Sequence, residues 1–300
     1  MKIAAAKYPI DAVADFDAFS AKQARWLGEA ADAGARVAVL PEYLSLELAA
    51  TFPPEVQADL AASLAAIQRY RALWLQLFAR LARDTGMAIV AGTFLLDVSG
   101  GRHRNRADLF LPDGGYLWQD KLQLTGFEKK TGRIESGDAL RVFEIDGVRM
   151  GIAICYDIEF PLPVRAQCEA GAQILLVPSC TDTAAGATRV RTGAMARALE
   201  NRCFVAQAAT AGDAPWSPAL DVNTGEAALY APMDVGFPAE GIVATTTSPH
   251  GWALADVDLA ALAATRADAQ VANDRDWPGQ CAPALQRAVL MPPSRCGDLG

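Results

Sequence analysis

Short apolar runs alternate with longer stretches of helical periodicity along nearly the whole chain. Such runs, bounded by polar or turn residues, are typical of buried strands. They predict strands over residues 2–8, 36–40, 87–95, 107–111, 116–121, 142–145, 148–154, 173–177, 204–208, 227–230, 241–247 and 252–257. Helical patterns cover residues 15–33, 54–84 with a break near 68–71, 160–170, 191–202 and 259–267. The alternation of the two predicts an α/β protein.

Turn signals and the lack of a linker indicate the domain organisation. Pro-Asp-Gly-Gly at 112–115 and Asp-Gly at 146–147 each join two predicted strands, as hairpin turns do. No stretch is rich enough in Pro, Gly or Ser to divide the chain, so residues 1–270 are predicted to form one domain. Residues 271–300 form a C-terminal tail with Trp277 and several prolines, which either lies at an oligomer interface or packs on its own subunit.

Two segments of the sequence resemble each other. Residues 32–42 read DAGARVAVLPE and residues 169–179 read EAGAQILLVPS, and each runs from a helix end through glycine and an apolar strand to proline and a polar residue. The similarity arises either by chance in an Ala-rich chain or from two similar halves with stacked sheets and outer helices. In the second case Glu42 and Ser179 leave their strands at the C-terminal end, where sites form in such sheets.

Composition narrows the function classes. The 300 residues carry a formal charge of −8, which disfavours nucleic acid and anionic membrane surfaces as partners. No apolar run approaches the ~18 residues of a membrane-spanning helix, and the first residues lack the apolar core of a signal peptide. The cysteines form no CxxC pair, so we expect reduced thiols, no metal site and a cytoplasmic protein. They stand at positions 155, 168, 180, 203, 281 and 296.

Three chemically useful side chains each follow a predicted strand: Glu42, Lys121 and Cys155. A thiol is mostly protonated at neutral pH, so its attack on an amide carbonyl needs a base such as a confined carboxylate. The ammonium group and the backbone N–H of Tyr156 would stabilise the oxyanion that forms. Taken singly, each residue has an ordinary structural alternative: an acid in a surface ion pair, a solvated lysine and a buried core thiol.

Four segments carry a resemblance to a known family: LPEY at 40–43, DKLQLTGFE at 120–128, GIAICYDIEFP at 151–161 and MARALENRCFVAQA at 195–208. In order and spacing they resemble the signature regions of the nitrilase superfamily of carbon–nitrogen hydrolases. The resemblance covers roughly residues 2–257. It implies an α/β fold of a particular kind, a four-layer α–β–β–α sandwich.

Carried over by position, the resemblance implies a catalytic triad of Glu42, Lys121 and Cys155. Many members of the family have a second glutamate soon after the lysine, which positions substrate and orients the lysine. Glu128 fits that pattern, with Glu135 as the alternative, and the structural reading of Glu128 is an exposed loop acid. Three further residues are expected in the oxyanion hole or the substrate pocket: Tyr156, Glu159 and Ser179.

The resemblance also implies a reaction: hydrolysis of a non-peptide C–N bond of a small amide through a cysteine thioester. It implies no metal and no organic cofactor, and a homodimer or a higher homo-oligomer. Nitrilase activity is an alternative, but nitrilases usually carry Trp-Glu where this chain has Tyr156 and Asp157. An N-carbamoyl amide hydrolase is a second alternative, and a non-catalytic binding or assembly subunit on the same scaffold is a third.

Individual departures from the family pattern refine these expectations. Carbamoylases and omega-amidases place an arginine after the cysteine, where this chain has Ile158 and Glu159. Glu159 either ion-pairs or caps at the start of the next helix, or faces the pocket and disfavours anionic substrates. Of the two histidines of the chain, His103 is expected in a solvated basic hairpin loop and His250 in a turn before Gly251. We therefore do not expect a Cys–His dyad.

Overall fold

The computed structural model describes residues 1–281, in which strands and helices alternate. The strands are β1 (Lys2–Pro9), β2 (Val37–Val39), β3 (Ala88–Ser99), β4 (Arg102–Phe110), β5 (Tyr116–Asp120), β6 (Val142–Ile145), β7 (Val148–Ile152), β8 (Ile174–Ser179), β9 (Phe204–Ala211), β10 (Ala228–Tyr230), β11 (Ile242–Thr245) and β12 (Gly251–Asp256). The helices are α1 (Phe16–Asp32), α2 (Pro54–Gln57), α3 (Leu60–Ile67), α4 (Arg71–Thr85), α5 (Gly126–Thr131), α6 (Pro161–Glu169), α7 (Ala184–Asn201), α8 (Leu259–Ala264) and α9 (Asn273–Asp276). Short 3-10 segments lie at Leu44–Thr51, Gln68–Tyr70, Cys155–Glu159 and Trp277–Cys281. Residues 282–300 of the predicted tail lie outside the described residues.

The strands form two halves that join at one corner. Their order is β5-β4-β3-β2-β1-β9-β8-β7-β6, in which the strands from β3 to β7 run parallel and antiparallel strands form both edges. Strands β1 and β9 pair only through Lys7–Pro9 and residues 209–211. Beyond this corner β2 and β3 lie against β8 without pairing, so the two sheets stack face to face.

Alternate residues of β1 face two different apolar clusters. Ile3 and Ala5 belong to a cluster that includes residues of β7, β8 and β9, whereas Ala4 and Ala6 face a cluster that includes α1 and α4. Helices α6 and α7 cover the outer face of the second sheet. The result is the predicted four-layer α–β–β–α sandwich. Because helices and a second sheet bury both faces of each sheet, its strands have continuous apolar sequences.

The two similar sequence segments have the same local structure. Gly34 and Gly171 each follow a helix with positive φ, at 82° and 99°. The N–H of Gly34 donates to the Ala31 carbonyl at 2.8 Å, and that of Gly171 donates to the Cys168 carbonyl at 2.9 Å. Glycine adopts this left-handed backbone without strain. Each segment then enters a parallel strand, β2 or β8, so the two segments form the same helix–glycine–strand unit, one in each sheet.

Strand β4 begins earlier than the sequence pattern predicted. Its predicted start was residue 107, but it begins at Arg102. The prediction of a solvated His103 is wrong, because this side chain is 2% exposed within β4. Positions 103, 105 and 107 are buried, while Arg104 and Arg106 between them form ion pairs with carboxylates. This segment alternates buried and exposed residues, as a strand does. Because its exposed positions are arginines, its composition is that of a loop.

Helix α7 also begins earlier than predicted, at Ala184 rather than residue 191. The Thr183 hydroxyl caps it by accepting from the Gly186 N–H at 3.1 Å. Glycine and threonine are weak helix formers, which explains why the first turns did not read as helix. The predicted break in the helical pattern at 68–71 is confirmed, since a 3-10 segment at Gln68–Tyr70 separates α3 from α4.

The last described residues contact α6 of the same chain. The Arg165 guanidinium donates to the Asp274 carbonyl at 2.9 Å and lies 5.1 Å from the ring centroid of Trp277. These contacts attach the first part of the predicted tail to its own subunit. Within residues 1–281, no helix has the length and apolar character needed to cross a membrane.

Candidate active site

Three strand ends of the stacked sheets converge on one buried cluster. Glu42 follows β2, Lys121 follows β5 and Cys155 follows β7. Their side chains come from both sheets, because β2 and β5 belong to one sheet and β7 to the other. All are nearly inaccessible, with Glu42 and Lys121 1% exposed and Cys155 5% exposed. The stacking of the sheets therefore brings together an acid, a cation and a thiol that lie far apart in the sequence.

Glu42 is a carboxylate held in a dry environment. Its Oε1 accepts from Lys121 Nζ at 2.7 Å and from Asn105 Nδ2 at 2.8 Å. Burial raises the pKa of Glu42 above its usual value, and the nearby Glu128 adds to this, although the Lys121 ammonium opposes it. Gly92 of β3 allows this close packing, since its φ is +62° and a Cβ there would overlap the carbonyl oxygen of Pro41. A confined carboxylate of this kind is a better proton acceptor than an exposed one.

Lys121 is a fixed cation between two carboxylates. Its Nζ lies 2.7 Å from Glu42 Oε1 and 2.9 Å from Glu128 Oε2. Burial alone would lower the pKa of Lys121, but the two carboxylates outweigh it and raise the pKa above its ordinary value. The ammonium group therefore keeps its charge throughout the neutral range, as stabilisation of an oxyanion requires.

Glu128 is fully buried, so the alternative of an exposed loop acid does not apply. It is the third residue of α5 and forms a capping box with Thr125, whose backbone N–H donates to Glu128 Oε2 at 2.9 Å. The Tyr43 hydroxyl donates to its Oε1 at 2.9 Å. Burial opposes ionisation, but Lys121 and these donors hold the pKa of Glu128 below its usual value. Glu135, the alternative, instead forms ion pairs with Arg104 at 3.0 Å and Arg102 at 3.2 Å, outside this cluster.

Cys155 occupies a sharp bend after β7. Its φ is +48°, a left-handed conformation that is uncommon outside glycine, and it opens the 3-10 segment Cys155–Glu159. Its Sγ lies 3.5 Å from the Cys180 carbonyl oxygen. Burial raises the pKa of Cys155 well above its usual value, and the charge of Glu42 adds to this while Lys121 opposes it. The resting group is therefore a neutral thiol, and nucleophilic attack needs a base that removes its proton.

Two residues of the cluster were not identified from the sequence. Asn105 of β4 is fully buried, and its Nδ2 donates to Glu42 at 2.8 Å and to Glu128 at 3.2 Å. Tyr43 has a φ of +61° and contacts Glu128 through its hydroxyl. The available signal for Asn105 was the period-of-two pattern of β4, in which it takes an inward position between arginines. Tyr43 was visible only as a member of the LPEY motif.

A cavity of about 460 Å³ opens above this cluster. Glu42, Lys121 and Cys155 line it, as do Tyr156 and Glu159, two of the residues that the sequence placed near the substrate. The ring of Tyr156 packs edge-on against Phe160, with the centroids 4.8 Å apart. The rest of the wall includes apolar and polar side chains: Tyr43, Phe127, Cys180, Val190, Pro218, Ala219, Thr125, Thr181, Asp182, Arg189 and Asp221.

Ser179 and Glu159 differ in their relation to this cavity. The Ser179 hydroxyl donates to the carbonyl of Ala208 and is buried between strands, and the residues that follow it, Cys180 and Thr181, line the cavity in its place. Glu159 reaches the cavity wall, where Arg189 of α7 lies 3.7 Å away. Burial raises the pKa of Glu159, and Arg189 opposes this. Within residues 1–281 no group of His, Cys, Asp and Glu side chains is arranged to hold a metal ion.

This arrangement has the parts of a nucleophilic acyl-transfer site. A carboxylate with a raised pKa lies beside a protonated thiol, and a permanent cation lies where negative charge would develop on a bound carbonyl. Both carboxylates are tied to the cation, so the geometry is held before substrate binds.

Comparisons with known proteins identify the family of this chain. A family model for carbon–nitrogen hydrolases matches residues 2–267. The chain is 32% identical over 277 residues to "Probable hydrolase YhcX" of Bacillus subtilis, a match that covers 92% of this chain and 53% of YhcX, so the chain spans about half of that relative. It is 24% identical over 262 residues to omega-amidase NIT2-B of Xenopus laevis, covering 85% of this chain and 88% of the relative.

Solved structures share the fold. Nit3 of Saccharomyces cerevisiae, a member of branch 10 of the nitrilase superfamily, superposes with a TM-score of 0.70 at 19% identity, over 92% of this chain and 96% of Nit3. The NitN amidase of Nesterenkonia sp. AN1 gives a TM-score of 0.64 at 25% identity, over 92% and 99%. A variant of that amidase shows acrylamide added at its active-site cysteine, with a TM-score of 0.62 at 24% identity, over 92% and 99%. The chain belongs to the carbon–nitrogen hydrolase family.

Proposed function

We propose that the protein hydrolyses the C–N bond of a small amide through a thioester on Cys155, releasing a carboxylic acid and ammonia or an amine. The observation that carries this proposal is the convergence of Glu42, Lys121 and Cys155 at the floor of one cavity, with Glu128 paired to Lys121 behind it. Membership of the carbon–nitrogen hydrolase family supports the reaction class. The omega-amidase and the Nesterenkonia amidase among the similar proteins support an amide as substrate.

Acylation begins when Cys155 Sγ attacks the amide carbonyl carbon while Glu42 accepts the thiol proton. The raised pKa of Glu42 suits it to this role, because a carboxylate with a higher pKa is a stronger base. The carbonyl oxygen becomes an oxyanion beside Lys121. When the tetrahedral intermediate collapses, the C–N bond breaks and Glu42 gives the proton to the leaving nitrogen. Ammonia or an amine leaves, and the acyl group remains on sulfur.

Deacylation repeats these roles with water as the nucleophile. Glu42 removes a proton from water as its oxygen attacks the thioester carbon, and the oxyanion forms again beside Lys121. The C–S bond then breaks, the carboxylic acid leaves and the proton on Glu42 returns to Cys155. No net change remains on the protein.

The charged neighbours of the triad act by fixing its geometry. Glu128 holds the Lys121 ammonium at 2.9 Å and is itself fixed by Tyr43 and Thr125. A donor that is in place before the oxyanion forms stabilises it without reorganisation. We assign the second oxyanion donor to the backbone N–H of Tyr156, which follows the nucleophile at the cavity wall.

A substrate panel tests the proposal. Ammonia or amine release is measured for neutral amides, carbamoyl amino acids and nitriles, with wild type, Cys155→Ala and Cys168→Ala. We expect turnover of amides by wild type and by Cys168→Ala, whose thiol lies on α6 away from the cavity, and none by Cys155→Ala. Intact mass should show an acyl adduct that Cys155→Ala does not form.

The same panel can contradict the proposal. Turnover of nitriles or carbamoyl amino acids with no turnover of amides would assign one of the alternative substrate classes on the same triad. The lack of both turnover and an acyl adduct across the whole panel would favour a non-catalytic binding subunit.

A further inference from the structure

Asp157 links two strand ends that belong to different sheets. Its carboxylate accepts from the backbone N–H of Gln123 at 2.7 Å and of Leu122 at 3.1 Å, and from that of Ile154 at 3.2 Å. Leu122 and Gln123 directly follow Lys121, and Ile154 directly precedes Cys155. One buried side chain therefore joins the segment that carries the ammonium to the segment that carries the thiol.

The sheets do not supply this link themselves. Strand β5, before Lys121, and strand β7, before Cys155, lie near opposite ends of the strand order and do not pair. Within residues 1–281, the hydrogen bonds between segments 121–123 and 154–157 all go to the Asp157 carboxylate. Without this carboxylate, none of the hydrogen bonds found between these two segments in residues 1–281 would remain.

Local capping explains only part of this arrangement. A carboxylate three residues after the first residue of a helical turn commonly accepts from that residue's N–H, and the bond from Ile154 is of this kind. The bonds from Leu122 and Gln123 span more than thirty positions of the chain and cap nothing in Cys155–Glu159. They join the two catalytic segments specifically.

We propose that Asp157 is a positioning residue of the active site, whose ionised carboxylate holds the Lys121 ammonium and the Cys155 thiol at the separation that the reaction needs. The proposal rests on the proposed function, and it assigns Asp157 no contact with substrate. It explains why an acid follows the nucleophile by two residues without lining the cavity.

The role requires the ionised form of Asp157. A carboxylate accepts on both oxygens, whereas a carboxylic acid turns one oxygen into a donor and loses bonds to N–H groups. Burial raises the pKa of Asp157 to about 6, although the three amides and Lys121 oppose this. The charge that acts on Asp157 is that of Lys121 on the β5 side, and the Arg197 guanidinium of α7 donates instead to the neighbouring Ile158 carbonyl at 3.1 Å. The link is therefore formed at neutral pH and lost in mild acid.

The variant Asp157→Asn tests the proposal, with Asp108→Asn as its matched control. Asp108 is also a fully buried acid with several donors, Arg71, Trp74 and Tyr116, but it lies away from the cavity. We expect Asp157→Asn to lower kcat about 100-fold with little change in KM, because misplaced catalytic groups cost rates of this order. Asp108→Asn should lower thermal stability and leave kcat within about threefold.

Amide hydrogen exchange gives a readout that does not depend on turnover. In Asp157→Asn the N–H groups of Leu122 and Gln123 should exchange at least about tenfold faster, and in Asp108→Asn they should not change. Wild type at pH 5, corrected for intrinsic exchange, should show the same loss relative to pH 7. This arm needs no variant, so it remains informative if Asp157→Asn does not fold.

The outcomes separate this proposal from the proposed function. Unchanged exchange at Leu122 and Gln123 would overturn the link itself. Faster exchange with unchanged kcat would overturn its role in positioning. If wild type hydrolyses no amide, the proposed function fails. The alkylation rate of Cys155 by iodoacetamide then replaces kcat, and an equal rate in wild type and Asp157→Asn would overturn the positioning role independently.

Discussion

Residues 32–42 and 169–179 form two local structures that match closely and end differently. In both, the residue after the glycine-alanine pair donates to the strand beside it at 2.8 Å, Arg36 to the Lys2 carbonyl and Gln173 to the Arg149 carbonyl. In both, a buried parallel strand leads to proline. Glu42 then enters a charged cluster, whereas the Ser179 hydroxyl turns to a main-chain carbonyl.

The difference shows that the local backbone structure determines the position of a side chain, whereas the neighbouring side chains determine its chemical role. Lys121 and Asn105 surround Glu42 and hold its carboxylate beside the thiol. Ser179 has the corresponding place in the other sheet, and the thiol there comes from a different strand, at Cys155. The two segments are thus similar in backbone structure and different in chemistry, and the site takes its acid from one sheet and its thiol from the other.

The largest expected effect comes from changing Glu42, and the comparison is with Ser179, the residue at the corresponding position of the other segment. Glu42→Gln keeps the shape but removes the base, so kcat for amide hydrolysis should fall about 10³-fold. Ser179→Ala removes a hydroxyl that the cavity does not use, and kcat should stay within about threefold. Steady-state kinetics on the best amide of the panel measures both. Comparable losses in the two variants would mean that the halves contribute alike to catalysis.

Glu42 also differs from Ser179 in having a cation, Lys121, beside it. Lys121→Met leaves Glu42 and Glu128 buried without a counter-ion, so the free energy of unfolding at pH 8 should fall by about 3–5 kcal/mol. Part of this loss should be recovered at lower pH, where the two carboxylates take up protons. Denaturant unfolding measures the effect, with Lys129→Met on the exposed face of α5 as control. A loss that is equal at all pH values would contradict the charge argument.

Asp157 is the ionised group that the second half contributes, and its titration should affect stability. In the folded protein the pKa of Asp157 is raised from 3.8 to about 6, so the folded state binds this proton more tightly than the unfolded state. The resulting stabilisation of the folded state is complete below pH 3.8 and is lost as the pH rises through about 6. The stability of wild type relative to Asp157→Asn should therefore fall by about 3 kcal/mol between pH 3.8 and pH 7, because the pKa rises by about 2.2 on folding and each unit corresponds to about 1.36 kcal/mol. Parallel pH curves for the two proteins would contradict the raised pKa.

Glu42 accepts a hydrogen bond from the side chain of Asn105, whereas the Ser179 hydroxyl bonds a main-chain carbonyl. Asn105→Leu keeps the volume and removes the donor shared by Glu42 and Glu128. We expect kcat to fall about tenfold, since a hydrogen bond to a charged group is worth about 1.5–3 kcal/mol. The pKa of Glu42 should rise further, so the acid limb of the pH–rate profile should move to higher pH. Gln119→Leu, a buried amide of β5 outside the cluster, should leave the profile unchanged.

The smallest effect concerns the wall that the second half gives to the cavity. Glu159→Gln should raise kcat/KM for a dicarboxylic monoamide, relative to a neutral amide, by about threefold, because a partly exposed charge contributes less than about 1 kcal/mol. Competition between the two amides measures the ratio. Glu169→Gln on α6, paired with Arg165, is the control. An unchanged ratio would mean that Glu159 forms an ion pair with Arg189 but does not affect substrate selection.

Sequence reasoning predicted the strands and the four main site residues, because apolar runs and strand-end motifs are local signals. Glu42, Lys121, Glu128 and Cys155 each stand in a recognisable segment, and the structure places all of them within one cluster. Asn105 was missed because it lies among arginines in a segment of loop-like composition.

The long-range roles could not be predicted, because they depend on contacts between segments. The bonds from Leu122 and Gln123 to Asp157 exist only because the sheets stack, and no spacing within either segment indicates them. Ser179 was predicted to be a site residue, but it does not line the cavity. A strand-end position indicated a site, but a single main-chain carbonyl, that of Ala208, determines where its hydroxyl points.

The left-handed backbone of Cys155 limits which residues can replace it. At a φ of +48° a β-branched residue is strongly disfavoured, so a threonine nucleophile at this position would distort the bend before any chemistry began. Serine keeps the unbranched shape and is the suitable replacement for studies of ligand binding. Capture of a covalent intermediate is better attempted by retaining the sulfur and slowing the proton transfers around it.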